Sequence, residues 1–297
     1  MRYHAKKGGD LEGDWQTLWF ELGPELGLSG TAFLALTLVG FLTSILSAVV
    51  GMAGGITLLA VMLLFYDPLI AIPLHGVVQL VSNGSRTFIH RRHVRWPLLW
   101  RYAVLLVPLG FVGVEISQQL PPPVTKGLIG LFVLFATWTP QLLMLGTHPE
   151  NSEPKRRFLL LGGAVGILNP TIGATGPLIA PFFLNLGLTR FALVGTKAGC
   201  QALGHIAKII VFGVVGFVYT DYLPLLIALC GSVIVGTMVG SRLLHHVNET
   251  WFVRLYKTVL MVGSRLLHHV NETWFVRLYK TVLTLVALHL VTGALLR

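Results

Sequence analysis

The stretches "VVGMAGGITLL" (residues 49–59) and "NPTIGATGPLIAPFF" (residues 169–183) interrupt long apolar blocks with glycine and proline. Backbone that leaves helical geometry at membrane depth must find hydrogen-bond partners in protein or in a water-lined cavity, because lipid supplies none. Two such interruptions therefore read as half-helices around a binding site, with N–H groups and positive dipole ends aimed into a cavity that suits an anion. The other reading of these small residues is tight helix packing. The recurrence of the break at matching places in both halves favours the site.

The composition agrees with a membrane setting. Of 297 residues, 54% are hydrophobic and 11% charged, against about 25% charged in a soluble domain. The apolar residues fall into blocks near the roughly 20 residues that a helical crossing needs. Eight qualify or nearly do: 28–50, 69–89, 98–117, 127–146, 158–173, 191–216, 222–240 and 281–296. Two shorter ones, 56–66 and 176–188, bring the expected count to between eight and ten segments. Residues 1–27 are a mixed-charge amphipathic segment without the apolar core of a cleavable signal. Cys200 and Cys230 lie in apolar blocks with no CxxC spacing and read as buried small hydrophobes.

The net charge of +10 points to orientation rather than to nucleic acid. Arg91, Arg92, Arg95 and Arg101 form one juxtamembrane cluster and Lys155, Arg156 and Arg157 another, the pattern of cytoplasmic loops. The uncharged turn after Gln118 and the acidic loop at Asp221 then lie outside. These assignments agree only if both short blocks cross. Helix 69–89 then runs inward and helix 191–212 outward, which is the arrangement of an inverted repeat. Sliding the chain on itself by 122 residues puts Gly51 on Gly173, Gly54 on Gly176, His75 on Lys197, Gln79 on Gln201, Asn83 on His205 and Arg86 on Lys208. The expected fold is an all-α polytopic membrane protein. It comprises an N-terminal segment 1–27, a first repeat 28–146, a basic loop 147–157 and a second repeat 158–297.

The second half of the candidate site comes from "PLHGVVQLVSNGSR" (73–86) and "GTKAGCQALGHIAK" (195–208). His75, Gln79, Ser82 and Arg86 share one helical face, as do Lys197, Gln201, His205 and Lys208. Ionisable residues within a membrane are expensive and mark functional cavities. Arg86 and Lys208, near predicted helix ends, read as anchors reaching the interface. The ligand-binding candidates are therefore Gly51, Gly54, Gly55, Gly173, Thr175 and Gly176 from the breaks, with His75, Gln79, Lys197, Gln201 and His205 from the stripes. No nucleophile elbow, P-loop or HExxH is present, so neither an enzyme nor a cofactor or metal site is expected. The Asn248 and Asn271 sequons fall on the cytoplasmic side, where glycosylation does not occur.

Three motifs carry a family resemblance: "GMAGG" at Gly51, the basic loop "HRRHVRW" at His90, and "VGTKAGCQ" at Val194. From Ala32 to Leu296 the chain resembles the sulfite exporter TauE/SafE family of membrane permeases. The Val194 motif is similar to that family's Gly-Thr-Ser element, which adds Thr196 to the candidates. The first half has "IPLHG" where the element would recur, and the second break reads "GATGP" in place of a glycine run. The resemblance implies a multi-pass permease of the cell membrane that moves sulfite, a sulfonate or a related sulfur anion. Its partners would be that anion and the lipid bilayer, without nucleic acid, and a homo-oligomer is left open. A membrane scaffold that transports nothing, and a channel with non-saturating flux, are the alternatives.

Residues 238–260 recur letter for letter as 261–283. Two modules with separate duties would have diverged, so the repeat reads as a recent duplication. Only seven residues separate Lys257 from Arg265, too few for a crossing, and the extra unit is expected to rest as an interfacial amphipathic helix. Deleting residues 238–260 should therefore leave sulfite flux into liposomes unchanged. Loss of flux in a normally inserted deletion variant would show that both copies are needed.

Overall fold

A computed structural model describes residues 28–50, 54–139, 154–183, 186–253, 256 and 274–296. All regular structure among the described residues is helical. The first half contains α1 (Gly30–Val50), α2 (Gly54–Met62), α3 (Pro68–Ile89), α4 (Trp96–Ala103), α5 (Leu106–Gln119) and α6 (Pro122–Trp138). The second contains α7 (Pro154–Ile172), α8 (Gly176–Ile179) continued by a 3-10 turn (Ala180–Phe183), α9 (Arg190–Val214), α10 (Leu223–His246) and α11 (Trp274–Leu295).

Both breaks turn the chain back on itself. After α1 ends, α2 climbs back, so that Leu63 and Tyr66 share a core with Leu28 and Phe33 at the start of α1. After α7, the α8 turn returns likewise, and Phe183 meets Phe158 edge-on with ring centres 5.3 Å apart. Arg157, at the start of α7, donates to the Phe182 carbonyl at 3.0 Å. One apolar core therefore gathers at the Asp67 end and a second at the opposite, basic end around Val94, Leu99, Phe158 and Leu244.

Small residues let the helices approach closely. On α10, Gly236 lies against the Phe41 carbonyl and Ser44, and Gly240 against Ile45 and Ala48, so α10 runs parallel to α1. Gly162 and Gly166 of α7 lie against the Tyr102 and Leu106 carbonyls, and Gly113 of α5 against Ile167, so α7 runs parallel to the α4–α5 pair. By contrast α3 and α9 are antiparallel, with Gly76 beside Lys208 and Gly195 beside His90. So are α6 and α11, where Gly130 meets Ala287 and Leu290 while Trp138 Nε1 donates to Thr284 Oγ1 at 2.9 Å.

Among the described residues, two helical stretches, Gly30–Val50 and Tyr219–His246, are long and apolar enough to cross a membrane. The block expected as one helix over 98–117 is instead α4 and α5, bent by 47°, and taken together they make a third. The bend has a local cause: Pro108 has no N–H for the Val104 carbonyl, and its ring crowds that carbonyl. With 22 and 25 residues, α3 and α9 have the length to cross. Their polar stripes lower their hydropathy.

The start of the doubled stretch differs from expectation. Trp251 is half-exposed, but Phe252 and Tyr256 are buried in the core at the basic end rather than turned to lipid. Tyr256 Oη donates to the Ala180 carbonyl at 2.8 Å, which gives the segment a protein partner that an interfacial helix would lack. Glu249 accepts from Arg190 N at 2.6 Å and from its guanidinium at 2.9 Å, fixing the start of α9. A single-copy chain keeps the same Glu, Phe and Tyr in its remaining unit. Residues 257–273, including the second sequon and the His268–His269 pair, lie outside the described residues.

Candidate functional site

The two breaks face each other across α3 and α9. His75 on α3 and Lys208 on α9 join them: His75 Nε2 lies 2.8 Å from the Gly55 carbonyl, Lys208 Nζ donates to the Gly173 carbonyl at 2.9 Å, and Lys208 Nζ lies 3.4 Å from His75 Nδ1. A carbonyl only accepts, so the proton of His75 belongs on Nε2, which leaves Nδ1 to receive the lysine. Gly173 has φ +84, in the left-handed region where a Cβ is strained, and this turn presents its carbonyl to Lys208. An ideal Cβ on Gly54 would overlap the Thr43 carbonyl, so α2 starts pressed against α1.

Arg86, 2% exposed, forms the other anchor. Its Nη1 donates to the Ser47 carbonyl of α1 at 2.8 Å, its Nε to Ser82 O at 3.3 Å and its Nη2 to Asn83 Oδ1 at 2.6 Å. Asn83 Nδ2 in turn donates to the Gln79 carbonyl at 2.8 Å. The glutamines sit against glycines of the breaks, Gln79 beside Gly55 and Gln201 beside Gly176. The rings of His75 and His205 meet edge-on with centres 5.7 Å apart.

Between these groups lies a cavity of about 10 Å³, the space that roughly one water molecule requires. Ser47, Gly55, His75, Gln79, Arg86, Thr175, Gly176, Gln201 and His205 form its wall, with Ile56, Ala174 and Pro177 as the apolar part. Among the described residues no carboxylate lines it. His205 Nδ1 is buried without a hydrogen-bond partner among the described residues, so the wall keeps an open polar position beside the Arg86 charge. Cationic and amide groups with no acid beside them complement negative charge.

The structure thus brings Gly55, His75, Gln79, Thr175, Gly176, Gln201 and His205 to one cavity. Gly54 and Gly173 shape it from behind, and Gly51 lies outside the described residues. Thr196 is elsewhere: its hydroxyl accepts from the Arg95 backbone N–H at 3.0 Å, tying α9 to the basic loop. Lys197 is wholly buried on α9, one turn before Gln201, but does not line the cavity. The assignment of Arg86 and Lys208 as interfacial anchors is overturned by their burial to 2% and 1% exposure. The backbone breaks supply the carbonyls that let both cations stay inside. Their place on the stripes was the available signal.

The family model described as sulfite exporter TauE/SafE matches residues 36–264. No curated protein matches the chain, and no solved structure does.

Lys208→Met should remove the donor to the Gly173 carbonyl and to His75, costing about 1.5–3 kcal/mol as for other buried charged hydrogen bonds. Thermal unfolding in detergent should show the loss, while Lys126→Met at the surface should shift the midpoint much less. Equal midpoints for wild type and Lys208→Met would contradict the bridge.

Proposed function

This chain belongs to the sulfite exporter TauE/SafE family, and we propose that it carries a small sulfur-containing anion, sulfite or a sulfonate, across the cell membrane by alternating access. Membership in this family implies a membrane transporter of sulfite or a related anion, not an enzyme. The observation that carries the finer reading is the cavity itself, where both helix breaks and both polar stripes converge on the buried Arg86. At about 10 Å³ the cavity is smaller than any sulfur oxyanion, so admitting one requires the surrounding helices to part. Burying a cation without a carboxylate is costly, and a bound anion supplies the missing charge.

In this reading the protein is a multi-pass permease of two inverted repeats. The series α1, α2, α3, α4–α5, α6 corresponds to α7, α8, α9, α10, α11 with every direction reversed. The helix pairings support it: α1 lies along α10 as α7 lies along α4–α5, while α3 with α9 and α6 with α11 pair across the pseudo-axis. The matched contacts of Gly55 with Gln79 and Gly176 with Gln201 support it too. Eight crossings come from α1, α3, α4–α5, α6, α7, α9, α10 and α11. The short α2 and α8 legs return the chain to the side it came from and bring the number of passes to ten. Arg86, with His75 and Lys208 behind it, supplies positive charge, and Gln79, Gln201 and His205 supply hydrogen bonds.

Reconstituted protein should move one of sulfite, sulfate, thiosulfate or a sulfonate with saturable kinetics that respond to an imposed membrane potential. Arg86→Gln should lower kcat/KM for that anion by about tenfold or more, a loss of roughly 1.4 kcal/mol of transition-state stabilisation. Lys197→Ala should have a smaller effect, because its side chain stands outside the cavity. Absence of flux from correctly inserted protein with all four anions would contradict the permease and favour a scaffold.

A further inference from the structure

A second cavity, of about 220 Å³, lies at the Asp67 end and shares no lining residue with the first. It opens between the turn joining α2 to α3, the start of α6 and the end of α11. Its polar groups are Asp67, Lys126 and His289, and its floor includes Leu63 and Leu290. Asp67 Oδ1 and Lys126 Nζ are 2.9 Å apart, with the two side chains 60% and 24% exposed. A pair this accessible to water holds together weakly, so each charge can exchange its partner for a ligand group at little cost.

Charges of both signs within one small cavity complement a molecule that itself carries an ammonium and an oxyanion. The surroundings favour a lipid as the source. Apolar residues make up much of the rest of its wall, namely Leu63, Leu64, Pro122, Pro123 and Leu290, and Leu64 and the neighbouring Phe65 on the turn are exposed. An exposed apolar rim beside a pair of opposite charges suits a partner with a zwitterionic headgroup and nonpolar tails. The α6–α11 pair joins the central core through Ile129, Val133, Leu283 and Ala287, while the Asp67–Lys126 pair spans the α2–α3 turn and the start of α6 at the rim.

We propose that this cavity binds the headgroup of a phospholipid carrying a primary ammonium and a phosphate, as phosphatidylethanolamine does. The ammonium donates to Asp67, while the phosphate accepts from Lys126 and His289 in charge-assisted hydrogen bonds. A trimethylated headgroup has no N–H to donate, and an anionic glycerol headgroup has no cation for Asp67. The bound lipid bridges the outer helix pair to the α2–α3 turn. This proposal rests on the membrane-spanning reading but not on the identity of the transported anion.

The full-length protein, delipidated in detergent, would be titrated with phosphatidylethanolamine, phosphatidylcholine and phosphatidylglycerol of matched chains, with retention followed by native mass spectrometry. Phosphatidylethanolamine should bind about tenfold tighter than either, a difference of roughly 1.4 kcal/mol. Asp67→Asn and Lys126→Gln should each abolish the preference, while Arg101→Gln at the basic end should keep it. Equal retention of the three lipids, or an unchanged preference in both variants, would overturn the proposal. Binding of free phosphoethanolamine as tight as that of the lipid would overturn the lipid assignment. Sulfite flux on the same preparations is a separate readout, so failure here and failure of the permease reading are distinguishable.

Discussion

The chain of contacts from the Gly55 carbonyl through His75 and Lys208 to the Gly173 carbonyl holds the structure to its plan. Each interrupted helix leaves carbonyls that lipid cannot satisfy, an expense of several kcal/mol per group if left unpaired. Lys208 meets the Gly173 carbonyl left open after α7, and His75 adds a second contact to the Gly55 carbonyl in the first turn of α2. Because the two side chains touch, the breaks are held in a fixed relation. Arg86 extends the same logic to the Ser47 carbonyl, just before the first break. The geometry of the central cavity follows from where these carbonyls had to be met.

The same contacts create an electrostatic demand. Arg86 and Lys208 are nearly inaccessible to solvent, and among the described residues the cavity wall holds no carboxylate to balance them. Carbonyl dipoles lower the cost of burying these cations without cancelling their charge. This buried positive site, where both polar stripes converge, is the feature on which the proposed anion transport rests. Close glycine contacts between α1 and α10, and between α7 and the α4–α5 pair, would let each unit move as a packed body.

Much of this was legible in the residues. Both breaks, and the polar faces carrying His75, Gln79, Gln201 and His205, follow from helical periodicity and from the rarity of such groups in apolar blocks. Arg86 and Lys208 were misplaced because distance along a helix does not reveal depth when the partner is a backbone carbonyl from another segment. Thr196 was included through its motif, whereas its hydroxyl serves the Arg95 backbone, a contact spanning the two halves that no local pattern encodes. Pro108 did signal the bend between α4 and α5, but a hydropathy average over 98–117 passes across it. The docking of Phe252 and Tyr256 was invisible because their partner near Ala180 is remote in sequence.

The central claim is that the cavity around Arg86 is the transport site, reached from one side of the membrane at a time. The most direct measurement replaces Cys200 and Cys230 with alanine, introduces Gln79→Cys, and follows labelling by a membrane-impermeant thiol reagent from each face, with and without sulfite. Alternating access predicts that the thiol reacts from either face, that conditions favouring one face disfavour the other, and that the transported anion slows both. Reaction from both faces under one condition with no protection by any transported anion, or no reaction from either face in an actively transporting protein, would contradict it.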